Sequence, residues 1–447
     1  LSASLRELGI ETFRLKTGTP PRVLTSSIDF SKTQYEPGTE GFLRFSETTG
    51  REDVLPYGKQ VPCYLTYTTP ETHELILNNL NRSSMYSGVV KGVGPRYCPS
   101  IEDKLVRFQD KPRHLLFLEP ESLFMDTTYI QGFSTSLPRD IQEKMVHSLP
   151  GFEHSVIRKY PYAIEYDAIY PVQMKPTFES KIIENLFTAG QVNGTSGYEE
   201  AAGQGLMAGI NASLKLEGRE PIVFGRDEAY IGVLVDDLTT KGTLEPYRLL
   251  TSRSEFRLLL RHDNAEERLI RYGRYAGLIS DERMAQYEKK MQALADLKDH
   301  LSSTKFEMDN PKVNAYMKLC GYDETEHRGI NGMDLIRRPN VECEKLLASI
   351  GETVDPFIAG KCDIDVKYAG YINKARREAD KLKAMDSIVL GMDFNYDEVD
   401  NLSLEGRAKL MKYRPATMGQ ASRISGVNPA DIAVLAIAIR QGKGRKK

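Results

Sequence analysis

The pattern of apolar and polar positions divides the chain into a first part with strands and a second part with helices. Short apolar runs bounded by Gly, Pro and Thr lie at Leu15–Arg22, Val61–Thr68 and Leu115–Pro120. Runs of this length between turn residues are typical of strands. Residues 1–220 are therefore predicted to form an α/β or α+β region.

Helical spacing dominates the rest of the chain. Residues 221–385 are richer in charge, and apolar positions recur every three to four residues, as in Asp281–Thr304. Residues 386–447 are predicted to form a small helical unit, in which Gly426 separates two helical patterns. The longest apolar run, Ile432–Ile439, predicts a buried helix. It is far shorter than the roughly 18 residues that cross a bilayer, so we expect no membrane segment.

Composition adds little to this division. The chain has 447 residues, 27% of them charged, and a formal net charge of −2, which neither indicates nor excludes a nucleic-acid partner. The five cysteines include no closely spaced pair, so we expect a reducing, cytoplasmic compartment and no metal site. The chain opens at Leu1 within an apparent helix, and we expect it to begin inside a domain.

One Gly-rich segment has the features of a cofactor site. Glu184–Ser213 is predicted to contain a short strand at Leu186–Ala189, a polar turn, and a long helix from about Glu199. Glycines let a backbone approach a ligand closely, and a helix N-terminus offers free N–H groups and a positive dipole end. The small residues of the helix are expected to press against another element. Such an end suits the electron-rich ring of a flavin, although a turn that binds nothing has the same pattern.

A dinucleotide-binding fold also needs a G-x-G-x-x-G turn after its first strand. The closest run, Gly88–Gly94, has the wrong spacing. Either the cofactor interpretation is wrong or the glycine motif precedes Leu1, and the abrupt start favours the second interpretation.

Cys98 lies in a second motif, which has the features of a reactive thiol. Pro95 and Pro99 flank it, and Arg96 and Lys104 bring positive charge that favours the thiolate. Cys98 is a candidate nucleophile or proton donor. A buried structural thiol is an equally good interpretation.

Arginines recur at helical spacing in Glu245–Gly277. Arg253, Arg257 and Arg261 lie four residues apart and are predicted to line one helix face, which would suit phosphate contacts. Acidic neighbours such as Glu255 and Asp263 allow an ordinary solvated network of ion pairs instead.

Several long strings make the chain resemble the MnmG (GidA) family of tRNA-modifying enzymes from end to end. They are LKTGTPPR, GVGPRYCPSIEDK, FLEPE, STSLP, YAIEYD, AGQVNGTSGYEEAAGQG, AYIGVLVDDL, EPYRLLTSRSEFRLLLRHDNA, KYAGYI and GQASRISGV. The chain departs from the family in lacking the N-terminal part that carries the phosphate-binding glycines and a second functional cysteine.

The resemblance implies an α/β plus all-α architecture. A partial FAD-binding Rossmann-like domain (residues 1–20 and 176–220) would hold an inserted α/β, NAD-binding-like domain (residues 21–175). A helical domain (residues 221–385) and a small C-terminal helical subdomain (residues 386–447) would follow.

The resemblance also implies a reaction. With the GTPase MnmE, the family adds an aminomethyl or carboxymethylaminomethyl group at C5 of the wobble uridine, position 34 of tRNA. FAD is reduced by NADH, and methylenetetrahydrofolate supplies carbon. The family enzyme is a homodimer and forms a heterotetramer with MnmE. Its helical C-terminal region engages tRNA and MnmE, which favours a tRNA-binding role for Arg253, Arg257 and Arg261.

Site residues follow from the motifs that match. The FAD contacts implied are Gly190, Gln191, Asn193, Gly197, Tyr198 and Glu199. The NAD segment implied is Gly94, Pro95, Arg96, Tyr97, Cys98, Pro99, Ser100, Ile101, Glu102, Asp103, Lys104, Leu105, Val106, Arg107 and Phe108. Within it, Cys98 would be catalytic. Two alternatives are a flavin- and folate-dependent tRNA uridine methyltransferase of the TrmFO type and a non-catalytic tRNA- or MnmE-binding module.

Overall fold

Apolar runs and helical patterns form the elements expected of them in most of the chain. The computed structural model describes residues 1–96, 99–323, 329–391 and 393–444. The chain forms two compact units. The first comprises Leu1–Pro221 and Leu234–Leu250, and the second comprises Ile222–Val233 and Thr251–Lys447.

The first unit is built on an antiparallel sheet. The strands of this unit are β1 Thr12–Gly18, β2 Arg22–Val23, β3 Gln34–Glu36, β4 Cys63–Tyr67, β5 Leu115–Pro120, β6 Thr128–Gln131, β7 Ile157–Lys159 and β8 Ala163–Ile169. Six of them pair in the order β3-β4-β5-β6-β2-β7, and β1 pairs separately with β8. The predicted strands at Val61–Thr68 and Leu115–Pro120 are confirmed as β4 and β5.

Helices cover one face of that sheet. Leu116 and Leu118 alternate along β5 with more exposed neighbours. They are buried in a cluster with Ile101 of α3 (Ile101–Arg107) and Ile141 of α4 (Arg139–His147). Alternation of this kind is expected of a strand with one buried face. The helices of this unit are α1 Ser2–Glu7, α2 Pro70–Leu77, α3 Ile101–Arg107, α4 Arg139–His147 and α5 Tyr198–Leu216. A further short helix, α6, spans Tyr230–Asp236.

In the part of the second unit that the structure describes, helices surround one two-stranded pair, β9 (Lys305–Glu307) with β10 (Gly329–Asn331). Its larger hydrophobic clusters lie around Leu301 and Phe306 and around Phe394 and Leu410, and a smaller one contains Phe256, Leu259 and Ala379. The elements are α7 Ala265–Tyr275, α8 Asp281–Ser303, β9 Lys305–Glu307, α9 Pro311–Leu319, β10 Gly329–Asn331, α10 Gly332–Ile336, α11 Cys343–Ser349, α12 Pro356–Asp386, α13 Leu404–Tyr413, α14 Met418–Arg423 and α15 Pro429–Arg440.

The C-terminal helices confirm the predicted pattern. Gly426 has a φ of +95° and separates α14 from α15. The apolar run Ile432–Ile439 lies within α15, which packs Leu435 and Ala438 into the core of this half. Among the described residues, no helix is long and apolar enough to span a membrane.

The prediction that Arg253, Arg257 and Arg261 line one face of a helix is wrong. A 3₁₀ turn spans Thr251–Arg253, irregular turns follow, a second 3₁₀ turn spans His262–Asn264, and α-helix begins only at Ala265. Side chains take the backbone partners that a helix would need: the Phe256 N–H donates to Ser254 Oγ, and Asn264 Nδ2 donates to the Leu259 carbonyl. Short polar side chains compete in this way with helix hydrogen bonds.

Two details of the Gly-rich segment also differ from the prediction. Leu186–Ala189 forms no regular strand; Phe187 makes a single bridge to Glu179. The helix that follows is confirmed as α5, but Gly205 and Gly209 are exposed, and a Cβ placed on either would meet nothing within 4 Å. These two glycines therefore do not press against another described element, because they lie on the outer face of α5.

Candidate functional site

The Gly-rich turn before α5 has a backbone that favours glycine at two points. It contains a 3₁₀ turn over Gly190–Asn193, where Gly190 has a φ of +82°, and Gly194, which follows it, has a φ of +79°. L-residues with a Cβ rarely adopt such angles. The two glycines therefore fix the path of the chain towards the helix, and Gly194 was not among the predicted site residues.

A buried glutamine on α5 holds this turn in place. Gln204 is fully buried, and its Oε1 accepts hydrogen bonds from the Gly190 N–H at 3.2 Å and from Asn193 Nδ2 at 2.9 Å. Its Nε2 donates to Thr195 Oγ1 at 3.0 Å and to the Glu200 carbonyl at 3.1 Å. A buried network in which these groups are satisfied makes the turn rigid. Sequence reasoning missed Gln204, although a polar residue among small ones on a buried helix face is a usable signal.

The predicted FAD residues lie on both sides of this turn. Gly190 and Asn193 are buried in it, where Thr188 Oγ1 donates to Asn193 Oδ1 at 2.7 Å. Gln191, Tyr198 and Glu199 are exposed, with Tyr198 95% accessible. One short segment therefore contains buried residues that hold the turn and exposed residues that are accessible to a ligand.

The N-terminus of α5 is available for a ligand. Gly197 is the N-cap of this 19-residue helix, and no side chain caps it. The first N–H groups of a helix have no intrahelical partner and carry partial positive charge. The backbone at this end of the helix is electropositive, and Glu199 and Glu200 place two acidic side chains in the first turn.

Arg248 and Glu200 lie beside Gly197. Glu200 is buried, and its Oε1 accepts from Arg248 Nε at 3.1 Å and from the Leu249 N–H at 2.7 Å. A Cβ on Gly197 would lie 1.8 Å from Glu200 Oε2 and 2.9 Å from Arg248 Nε. A side chain at this position would therefore displace the Glu200 carboxylate and the Arg248 guanidinium, which lies next to the helix end.

The segment from Tyr247 to Leu249 runs along the turn. The Tyr247 N–H donates to the Gly194 carbonyl at 2.8 Å, and the Tyr247 carbonyl accepts from Ser196 N–H at 3.2 Å. Tyr247 OH donates to buried Asp237 at 2.9 Å. The turn is therefore bordered by a segment about 50 positions later in the chain, and the sequence analysis did not predict this contact.

A cavity of about 270 Å³ lies beside the predicted NAD segment. Tyr86 OH donates to Asp103 at 2.9 Å across its lining, and partial burial together with this hydrogen bond raises the pKa of Tyr86. Lys16 Nζ donates to the Met85 carbonyl at 3.2 Å. The predicted NAD residues that line the cavity are Gly94, Pro95, Ser100, Asp103 and Arg107.

The other described residues of the predicted NAD segment lie elsewhere. Ile101 and Leu105 are buried in the core. Lys104 Nζ donates to the Gly132 carbonyl at 2.9 Å, and the Arg96 guanidinium lies 4.0 Å from a Glu245 oxygen. Pro99 is half-buried, and Val106 and Phe108 are exposed. Tyr97 and Cys98 lie outside the described residues.

Glu102 is the most buried acid of this segment. Its Oε1 accepts from Ser83 Oγ at 3.2 Å, from Thr135 Oγ1 at 2.8 Å and from the Ser136 N–H at 3.0 Å. These bonds join α3 to the STSLP loop, so the buried carboxylate positions the start of α3 beside the cavity.

The three predicted tRNA contacts are not equivalent. Arg257 is exposed and makes no hydrogen bond or ion pair with another described residue. Arg261 is mostly buried and pairs with Asp263 through bonds of 2.9 Å. Arg253 is half-buried in the 3₁₀ turn, and its carbonyl accepts from Arg226 at 2.9 Å.

The described cysteines occupy packing positions. Cys320, Cys343 and Cys362 are buried in the core around Leu301, and burial raises the pKa of half-buried Cys63. Within the described residues, no group of three or more His, Cys, Asp and Glu side chains is arranged to hold a metal ion.

Comparison with known families accounts for most of the chain. Residues 1–220 match the family described as glucose inhibited division protein A. Residues 281–376 match the C-terminal helical domain of the tRNA modifying enzyme MnmG/GidA, and residues 378–447 match its C-terminal helical bundle.

Individual relatives agree with the family matches. The chain is 52% identical over 445 residues to the tRNA uridine 5-carboxymethylaminomethyl modification enzyme MnmG of Bacillus subtilis, covering 99% of this chain and 70% of that protein. Identity and coverage are the same for the enzyme of Geobacillus kaustophilus. The solved structure of Aquifex aeolicus GidA superposes with a TM-score of 0.84 at 42% identity, over 98% of this chain and 69% of that one. This chain belongs to the MnmG/GidA family of tRNA-modifying enzymes.

Proposed function

We propose that this chain takes part in the modification of C5 of the wobble uridine of tRNA with an aminomethyl or carboxymethylaminomethyl group. In this proposal it works with the GTPase MnmE, uses FAD reduced by NADH, and takes carbon from methylenetetrahydrofolate. The observation that carries the proposal is 52% identity, across 99% of the chain, to enzymes named for this reaction. A cytoplasmic homodimer that joins MnmE in a heterotetramer completes the proposal.

The turn before α5 is the proposed place for the flavin ring. Its support is the uncapped N-terminus of α5, with Arg248 beside Gly197. When bound, a flavin supplies hydride transfer. The chain's own contribution is to bind and orient: N–H groups at Tyr198 and Glu199 favour an electron-rich edge, and Gln204 keeps the turn rigid.

The 270 Å³ cavity is the proposed contact region for the nicotinamide cofactor. Its support is that Lys16 and Arg107 bring positive charge to a lining that contains one carboxylate, Asp103. Cations in a concave site favour a ligand with phosphate groups. Glu102 acts as a positioning residue, because it fixes α3 and therefore Asp103 and Arg107.

Cys98 is the proposed catalytic residue. C5 of uridine is a poor nucleophile until a group adds at C6, and a thiolate suits that step. The proposal rests on the sequence motif, since Cys98 lies outside the described residues. Pro95 and Ser100, on either side of it in the sequence, line the cavity.

Nucleoside analysis of modified tRNA tests the proposed reaction. The chain is incubated with MnmE, GTP, FAD, NADH, methylenetetrahydrofolate and either glycine or ammonium, and digested tRNA is examined by mass spectrometry. We expect the unaltered protein to produce the modified uridine and the Cys98→Ser variant to produce none. Cys320→Ser is the matched control, because that thiol packs in the helical core.

Two results would contradict the proposal. Simple methylation of a uridine would indicate a TrmFO-type enzyme. A colourless protein that binds tRNA but takes up no added FAD would indicate a binding module. Full modification by Cys98→Ser would remove the catalytic role of this residue alone and leave the reaction in place.

A further inference from the structure

The helical unit contains a second cavity, of about 400 Å³, between α7 and α12. Five cationic side chains line it, and Leu259 and Ile372 supply an apolar wall. The cations are Arg261, Arg268, Arg271, Arg376 and Lys383. A cavity that combines an apolar wall with several cations is typical of a site for an anionic organic ligand.

Four carboxylates also line the cavity, those of Asp227, Glu228, Glu267 and Asp365, and each has a cationic partner. Lys383 pairs with Asp227 at 2.9 Å, and Arg271 pairs with Glu228 at 3.2 Å. Two lysines from outside the lining, Lys361 and Lys298, pair with Glu267 at 3.0 Å and with Asp365 at 2.8 Å. Arg261 pairs with Asp263 at 2.9 Å. These pairs account for the acidic groups and for three of the five lining cations.

Arg268 is a partly buried cation whose hydrogen bonds end on neutral oxygens. It donates to Asn264 Oδ1 at 2.9 Å, to the Arg261 carbonyl at 3.0 Å and to the Glu228 carbonyl. Burial, with a further contribution from neighbouring Arg261, lowers its pKa. Among the described residues, no carboxylate is hydrogen-bonded to this guanidinium.

Arg376 faces the same cavity from α12. It is exposed and makes no hydrogen bond or ion pair with any residue that the structure describes. Arg268 and Arg376 are therefore the two lining cations that have no carboxylate at ion-pair distance among the described residues, although the charges of Asp263 and Glu267 also act on Arg268. A planar guanidinium with several N–H donors matches the oxygens of a phosphate.

We propose that this cavity binds the phosphate of a nucleotide, with Arg268 and Arg376 contacting the phosphate and Leu259 and Ile372 contacting the nucleoside. This inference rests on the proposed function and extends it, because a tRNA substrate brings phosphates to the enzyme. The same chemistry is offered by the backbone of tRNA or by a free nucleotide, and the experiment separates these sources.

Arg376→Gln tests the proposal, since this exposed side chain has no described partner whose loss would destabilise the fold. Binding of an unmodified tRNA transcript is measured across a range of salt concentrations, and AMP binding is measured by calorimetry. If the phosphate belongs to tRNA, we expect the affinity of Arg376→Gln for tRNA to fall about tenfold at low salt. The slope of the logarithm of the binding constant against the logarithm of the salt concentration should decrease in magnitude by about one. Arg376→Lys should retain most of the salt dependence.

Arg377→Gln is the matched control, because Arg377 is the next residue of α12 and does not line the cavity. Loss of AMP binding with unchanged tRNA affinity would assign the cavity to a free nucleotide. If neither tRNA nor AMP binding changes in Arg376→Gln, the proposal is overturned. A chain that binds no tRNA would contradict the proposed function, and the AMP measurement would still decide whether the cavity takes a phosphate.

Discussion

The buried side chain of Gln204 accepts a hydrogen bond from the backbone N–H of Gly190 at 3.2 Å. The two residues are 14 positions apart, and the bond ties the start of the Gly-rich turn to the helix that follows it. The geometry of the proposed flavin site therefore depends on a side chain that is itself fully buried.

Replacing Gln204 with leucine should destabilise the first unit. The change leaves the buried Gly190 N–H without its acceptor, while Asn193 Nδ2 loses one of two acceptors and keeps its bond to the Thr188 carbonyl. We therefore expect the free energy of unfolding to fall by about 1–3 kcal/mol. Differential scanning calorimetry measures the lowered transition. Gln292→Leu on exposed α8 is the control and should change little. If Gln204→Leu were as stable as the unaltered protein, the hydrogen bonds of Gln204 would not contribute to the stability of the first unit.

Gly197→Ala should prevent flavin binding by this turn. A Cβ would lie 1.8 Å from Glu200 Oε2, so the buried carboxylate and Arg248 must move. Gly205→Ala on the same helix is the control, because its Cβ meets nothing within 4 Å. Titration with FAD, followed by flavin fluorescence, measures both variants. Equal FAD affinity of Gly197→Ala and Gly205→Ala would place the flavin elsewhere.

Glu179 should make the first unit sensitive to acid. Its carboxylate accepts from Lys215 at 2.5 Å and from Lys175 at 3.0 Å, and chiefly the bond from Lys215 lowers the pKa of Glu179 to about 2. Because the folded pKa lies below the unfolded one, this stabilisation is present above about pH 5 and is lost as pH falls towards 2.

Thermal unfolding at pH values between 7 and 3 measures this effect. Glu179→Gln should show a smaller decrease of the transition temperature on acidification than unaltered chain. Glu184→Gln is the control, because Glu184 is 80% exposed and lies 3.6 Å from the same lysine. A decrease of the same size in all three proteins would mean that other groups govern the acid sensitivity.

Two glycines of the helical unit should respond to alanine with opposite signs. At Gly332, a Cβ would lie 2.8 Å from Leu301 Cδ2 and 2.9 Å from Phe306 Cε2, and overpacking should cost about 1–3 kcal/mol. At exposed Gly370, inside α12, nothing lies within 4 Å, and alanine should stabilise by about 0.5–1 kcal/mol. Urea unfolding measures both, and a shift in the same direction would contradict the packing argument.

Charge reversal at Arg257 should weaken tRNA binding more than charge reversal at Arg261. Arg257 is exposed and has no partner among the described residues, whereas Asp263 already pairs with Arg261. Fluorescence anisotropy with labelled tRNA, at several salt concentrations, measures the difference. If Arg257→Glu binds as unaltered chain does, the phosphate contacts of this segment lie elsewhere.

The sequence by itself determined most of the elements. The apolar runs at β4 and β5, the helical spacing of α8 and the break at Gly426 are local patterns, and the structure has them where the patterns indicate. Local propensity and burial act in the same direction at these positions. The family relation likewise follows from strings of residues that need no coordinates.

Only the tertiary structure decided how these elements meet. The arginines at four-residue spacing fit a helix, but Ser254 and Asn264 bond the backbone and form turns instead. Arg248 bonds Glu200 from 48 positions further along the chain, and Arg268 and Arg376 line one cavity from two different helices. Hydrogen bonds and charge balance of this kind depend on which side chains face each other, and a linear pattern does not contain that information.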